Sequence, residues 1–324
     1  MIQFLGDVYL DKKYNSNINL DNYIFNLEYP ISNRGTPAKN KINLIQNTSY
    51  IKDTFGKNPI AVCLANNHIM DYGDDAFEDT MKFLEQNNIK YFGAGNKSNN
   101  YNNPLLIKME NTTISVSGYS CMSTNAVFGS EDLIGSALLD FELIKQDLKN
   151  HIADFKIVQL HWGMEDIPYP TYKDVQLAHQ IIDCGADLII GHHAHMIQSS
   201  EIYKGKYIFY GLGNCIFPDF SLDSHFNGNE FTRKSSKKQR KHNKKSIMIE
   251  IDSTYNIVSK TLFFDGKSLN CKNYSLSNFI PHSEENFRRK YNTFKKIDMF
   301  KKFIESPRIP NISQIKRLLT KEKI

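Results

Sequence analysis

Cysteine is scarce in this sequence and forms no pairs by spacing. The five cysteines, Cys63, Cys121, Cys184, Cys215 and Cys271, are odd in number and never spaced C-x-x-C, which argues against a disulfide framework or a structural zinc knuckle. A reducing compartment is the default. No stretch reaches the ~18 consecutive apolar residues that a membrane-spanning helix needs. The opening MIQFLGDVYL has no charged leader, no long apolar core and no cleavage site, so no signal peptide is expected and the protein is placed in the cytoplasm or at the membrane periphery. No internal repeat is visible. The 324 residues, 40% of them hydrophobic, suffice for one large or two modest domains with a real core.

Acidic residues are missing from one segment. Residues 233–245, RKSSKKQRKHNKK, carry eight Lys or Arg and no acid, so against a net charge of +5 the rest of the chain is close to −3. Such a run reads as a solvated, mobile insertion, or as a docking surface for anionic lipid, an anionic polymer or nucleic acid. It contains no aromatic residue to stack a base and no groove-reading motif, which disfavours sequence-specific nucleic-acid recognition.

From residue 1 to about 265, short apolar runs alternate with amphipathic stretches. IQFLGD, NYIFNLE, IAVCLAN, ISVSGYS, FKIVQLHWG, DLIIGHH, KYIFYGLGN and SIMIEID read as strands. DDAFEDTMKFLEQNN, LLDFELIKQDLKNH and YKDVQLAHQIIDCG read as helices, the first opening with Asp74 and Asp75 where a helix N-terminus favours acid. The alternation predicts α/β layers. From about 281 the composition shifts to Lys, Asn, Phe and Ile, with prolines at 307 and 310, predicting a basic tail of helical pieces.

Strand after strand ends in a ligand-type residue. Asp7 closes IQFLGD; Glu28 closes NYIFNLE with Asn26 two positions earlier on the same face; Asn66, Asn67 and His68 close IAVCLAN; His161 closes FKIVQL. His192, His193 and His195 follow DLII and a glycine. One carboxylate after a strand is usually a cap or a turn residue, but five strand ends supplying one rim point to a site. On an extended segment His193 and His195 point to one side and His192 to the other. Carboxylate, amide and imidazole donors together suit Mn, Fe or Zn, one or two ions, better than Mg or Ca. Such ions activate water and clamp an anionic centre, which makes hydrolysis the natural chemistry. His68 is then a general acid, and Asp71 either orients its ring or caps the helix before Gly73. Trp162 is expected to pack beneath the metal loop. Glu165 and Asn214 are read as substrate contacts or turn residues, and His151, His179, His225, His242 and His282 as surface residues.

GDVYL, NLEYP, LANNHIMDYG, GAG, HWGMED, IIDCGADLIIGHHAHMIQ and YGLGNCIF, in this order over residues 3–265, resemble the capsule synthesis protein CapA family of poly-γ-glutamate capsule production, a relative of the calcineurin-like metallophosphoesterases. The resemblance implies a four-layer sandwich, two mixed β-sheets flanked by helices. It implies a 1–265 CapA-type domain with a basic insertion at 232–246 and a helical extension over 266–324. It further implies that Asp7, Glu28, Asn67, His161, His193 and His195 hold metal and that His68 is the acid. Asn26, Asn66, Glu165, His192 and Asn214 are then substrate contacts or supports.

Two positions depart from the superfamily: Tyr9 stands where a histidine is usual, and Glu28 where aspartate is. The ion of Asp7, Glu28 and His195 therefore loses a ligand, while that of Glu28, Asn67, His161 and His193 keeps its set. The expected substrate is a phosphoester or an anionic polymer. A non-catalytic accessory role in a capsule-polymer synthesis or export complex is the alternative, with contact to a membrane synthase complex or anionic lipid through 233–245.

Overall fold

Each of the eight apolar runs enters one of two mixed sheets in the computed structural model, which describes residues 1–109, 112–273 and 283–305. Among the described residues the first sheet has nine strands. Ile2–Val8 lies in its middle, parallel to Asn22–Leu27 and, beyond that, Ala61–Cys63 and Lys90–Phe92. On its other side Lys245–Ile251, Ile257–Phe264 and Ser268–Cys271 continue antiparallel. The second sheet has six strands, with Thr112–Ser120, Phe155–His161, Leu188–His192 and Lys206–Phe209 parallel.

Period-two alternation sorts the side chains into layers. Ile2, Phe4, Ile24, Ala61 and Cys63 from one sheet pack with Ile114, Val116, Ile157, Leu188 and Ile190 from the other, forming the core between them. The opposite-facing Tyr23, Phe25 and Val62 pack with Phe77 and Leu84 of the helix Gly73–Gln86. Val158, Leu160 and Ile189 pack with Ile144 of Phe141–Asn150 and with Val175, Ala178 and Ile181 of Tyr172–Asp183. The result is helix, sheet, sheet, helix. All three helices fall where the amphipathic runs predict them, and a fully buried Phe77 or Leu84 side chain contributes roughly 1.5–3 kcal/mol.

KYIFYGLGN serves both sheets: Lys206–Phe209 lies in one, between Ser200–Tyr203 and Leu188–His192, and after a glycine-rich crossing Asn214–Ile216 pairs with Ile2–Val8. The chains run so close here that a Cβ on Gly6 would meet the Gly213 carbonyl oxygen at 1.8 Å, and one on Gly191 the Tyr210 carbonyl oxygen at 1.8 Å. Both glycines are needed for close approach rather than for a turn.

Two expectations change. The region past 265 does not begin as helix: Ser268–Cys271 adds a strand to the first sheet, with Leu269 buried. A helix follows over Glu284–Glu305, seated by Phe287 against Tyr172, by Phe294 against Tyr169 and by Asp298 against Arg240. Residues 306–324, with both prolines, lie outside the described residues. The basic segment also does not start as a mobile insertion. Phe231–Lys237 pairs with Phe220–Phe226 in a hairpin whose turn is held by the Asn227 side chain, which accepts from the Asn229 and Glu230 amides.

Candidate metal centre

Ladder register collects the polar residues. Asp7 is the Cα partner of both Asn26 and Asn214, and His161 is the partner of His192. The inner-face parity that buries Ile24, Ile157 and Ile190 continues to Asn26, His161 and His192, so these three emerge into the gap between the sheets at their carboxyl ends. Buried there, they bond to polar neighbours, Asn26 Nδ2 also lying 3.4 Å from His161 Nδ1. Asn26 Nδ2 donates to Asp7 Oδ1 at 2.9 Å and Glu28 Oε1 at 3.0 Å, and His192 Nδ1 lies 2.8 Å from Asp7 Oδ1.

Beside this frame stand the other donors. His161 Nε2 lies 2.8 Å from Asn67 Oδ1 and 3.1 Å from His193 Nδ1. His195 turns Nδ1 to Asn214 Oδ1 at 2.9 Å and Nε2 toward Glu28 Oε2 at 3.8 Å. Ligand-type atoms of Asp7, Glu28 and His161 lie within 4.8 Å of one another. Glu28 Oε2 is buried with no hydrogen-bond donor among the described residues. A buried carboxyl oxygen left bare beside an amide oxygen and three imidazoles fits a divalent transition ion, because a buried acceptor without a partner is otherwise costly.

Electrostatics agree. Burial, then the neighbouring charge of Asp7, push the Glu28 carboxyl well above its usual range. Burial also acts to raise Asp7, but His192 and His195 hold it below the ordinary value. Burial depresses all three facing imidazoles, His161 well below its usual range, His193 to about 4, and His195, which the Lys237 charge lowers further. They are therefore neutral near pH 7, the form that binds metal.

The centre opens on a cleft of about 490 Å³ whose walls include Asn67, His68, His193, His195, Glu165 and Lys237. His68 Nδ1 lies 2.6 Å from Asp71 Oδ2. The fully buried Asp71 also accepts from the Leu44 amide at 2.7 Å and pairs with Lys41 at 2.5 Å. The helix N-cap is Tyr72, not Asp71, and no side chain caps it among the described residues. Asn66 holds the turn, accepting from the His68 and Ile69 amides and donating to Asn26 Oδ1 and the Leu27 carbonyl. Trp162 is buried, stacked on Tyr210 and donating to its carbonyl oxygen at 3.0 Å.

The histidine triplet departs from the zigzag expectation. His193 and His195 have φ of +80° and +54°, so the segment is not extended and its side chains do not alternate. All three rings reach the cluster, and His192, expected to face away, touches Asp7 directly. Tyr9 offers no ligand: its hydroxyl accepts from Gln46 Nε2 at 2.7 Å, its ring packs on Tyr29 and Phe217, and burial pushes its pKa to about 12. His151, His179, His225 and His242 are half-buried rather than fully on the surface, with His179 2.8 Å from Glu201; His282 lies outside the described residues. Sequence reasoning missed Lys41, which nothing nearby marks, and Lys237, hidden in the basic run.

Fold and site together define a four-layer α/β protein with a carboxylate, amide and imidazole centre between its sheets. The profile of the bacterial capsule synthesis protein family PGA_cap matches residues 4–219, and the chain belongs to that family. It is 34% identical over 160 residues to the capsule biosynthesis protein CapA of Bacillus anthracis, covering 48% of this chain and 39% of that protein. It is 32% identical over 198 residues to the PGA biosynthesis protein CapA of Bacillus subtilis (strain 168), covering 59% and 52%. The matches thus span about half or less of these relatives. Among solved structures, a hypothetical protein from Thermus thermophilus aligns at 13% identity and TM-score 0.44 over 83% of this chain and 95% of that one. Among the described residues no helix is long and apolar enough to cross a membrane.

Proposed function

We propose that this protein is a CapA-like metal-dependent hydrolase, cleaving a phosphoester or a polymer amide bond in capsule or surface-polymer biosynthesis. The observation that carries this reading is the His68–Asp71 pair, 2.6 Å apart, beside Asn67 on the open cleft. A purely structural metal site needs no carboxylate-oriented imidazole on a cleft wall. Glu28, Asn67, His161 and His193 would hold one Mn, Fe or Zn ion, and Asp7, Glu28 and His195 are the residues for a second, which has no ligand from Tyr9. Bound there, the ion supplies charge stabilisation and an activated water. With Nδ1 committed to Asp71, His68 has Nε2 left to pass a proton to the leaving group. His192 and Asn214 hold Asp7 and His195 in place.

Metal analysis of wild type and His193→Ala, with turnover of p-nitrophenyl phosphate and of oligo-γ-glutamate by the loaded protein, tests the proposal. Stoichiometric Mn, Fe or Zn lost in the variant, with turnover lost in His68→Gln, is the expected result. Wild type without metal, or loaded wild type inert on both substrates, overturns it. A non-catalytic accessory role is the second reading, favoured by Arg233, Lys238 and Lys241 exposed on the basic segment. It predicts that reversing these three charges abolishes capture of a membrane synthase complex while metal content stays unchanged.

A further inference from the structure

The hairpin Phe220–Phe226 and Phe231–Lys237 delivers one of its cations to the cleft and keeps the rest in solvent. Along FTRKSSK, Lys234 and Ser236 are exposed, whereas Ser235 and Lys237 turn inward. Lys237, the Cα partner of Phe220, ends the strand on the cleft wall alongside Phe220, His193 and His195. Its ammonium lies 2.9 Å from Glu165 Oε2, with side chains 26% and 42% exposed respectively, so the pair stays within reach of solvent and of a ligand. The Lys41 ammonium is committed elsewhere, 2.5 Å from both Asp71 Oδ1 and the Asn67 carbonyl oxygen.

Given that the cleft is the substrate site, the geometry points to Lys237 as a specificity-determining residue that receives a second anionic group of the substrate, outside the bond being cleaved, in exchange for Glu165. Three features support the exchange. Glu165 sits on a loop between Gly163 (φ +83°) and Asp166 (φ +65°), not on a strand, so its carboxylate can withdraw without breaking a ladder. Glu165 already presents to Lys237 the carboxylate chemistry that a ligand would present. Lys237 also shares the cleft wall with His193 and His195, which places a captured anion beside the metal centre. The ligand class is a substrate with repeated or flanking carboxylates or phosphates; a neutral substrate would leave Lys237 paired with Glu165.

Binding tests this without turnover. Fluorescence anisotropy is measured with a labelled decaglutamate peptide and its decaglutamine counterpart on intact wild type and on Lys237→Met, Lys237→Arg, Glu165→Gln and Lys234→Met. The expected result is that Lys237→Met weakens decaglutamate binding about tenfold, Lys237→Arg restores most of it, and Glu165→Gln strengthens it about threefold, while decaglutamine is unaffected. Lys234→Met, exposed on the same strand, should change binding less than twofold. Absence of decaglutamate binding by wild type, an equal loss in Lys234→Met, or unchanged binding in Lys237→Met would each overturn the inference. An inert protein with the expected binding pattern would sink the hydrolase reading alone. A hydrolase whose Lys237→Met binds like wild type would sink this one alone.

Discussion

At the scale of single residues, the Asp71 carboxylate carries three jobs from a position with no solvent access. It lies against His68 Nδ1, accepts from the Leu44 amide and pairs with Lys41. Asp71→Asn keeps the shape but replaces one acceptor oxygen with a donor that must face either Lys41 or His68, so we expect a loss of about 1–3 kcal/mol in denaturant unfolding, typical of an unsatisfied buried polar group. His68→Gln, by contrast, leaves the frame intact. It should cost less than about 1 kcal/mol, retain full metal content, and lower kcat about 100-fold or more, the usual contribution of a positioned general acid. Metal lost together with activity in His68→Gln would make His68 a ligand rather than an acid. Residue types and their order along the chain were legible in the sequence alone. The partner of Asp71 was not, because cap and ring-orienter share one sequence signature and differ only in where the helix starts. The directions of His192, His193 and His195 were also hidden, since the left-handed backbone at 193 and 195 is imposed by neighbours distant in sequence.

At the scale of elements, the parallel strand Leu188–His192 is both sheet and site, and Gly191 is where the two roles meet. A methyl at Gly191 would sit 1.8 Å from the Tyr210 carbonyl oxygen and 2.8 Å from Trp162 Nε1, neither of which can move without disturbing the crossing between sheets. Gly191→Ala should therefore cost roughly 3 kcal/mol or more, beyond ordinary overpacking, and release metal as His192 and His193 shift. Gly205→Ala serves as the comparison: φ is +77° but nothing lies within 4 Å, so only backbone strain of about 1–2 kcal/mol is expected, with metal retained. Equal losses in the two variants would show that close approach at Gly191 is unimportant. Strands and helices with strong apolar periodicity were read within a few residues. The hairpin was missed because FTRKSSK is polar on both faces and its turn is made by Asn227, and Ser268–Cys271 because four residues carry too little pattern.

At the scale of the whole molecule, burying three imidazoles and a carboxyl in one centre couples stability to pH. His193 has a folded pKa of about 4 against an ordinary 6.5, and burial lowers His161 and His195 as well. Between those values the unfolded chain binds more protons than the folded one, so each histidine adds stability as pH rises, at up to about 1.4 kcal/mol per pH unit, complete above pH ~6.5. Glu28 works the other way. Its folded pKa is raised, so the stability it contributes is present below pH 4.5 and is lost as pH rises through the folded value. Three histidines outweigh one carboxyl in number, so metal-free protein should gain stability as pH rises from 5 to 6.5 in urea unfolding, His193 alone supplying up to about 1.4 kcal/mol per pH unit. His193→Gln should remove about one proton's worth of that slope. Divalent ion should steepen the rise, because binding requires neutral imidazoles and an ionised Glu28 together, so the carboxyl that opposes the histidines in the free protein joins them in the loaded one. A profile that is flat from pH 5 to 6.5 without metal, and no steeper with it, would contradict a centre built from these four buried groups.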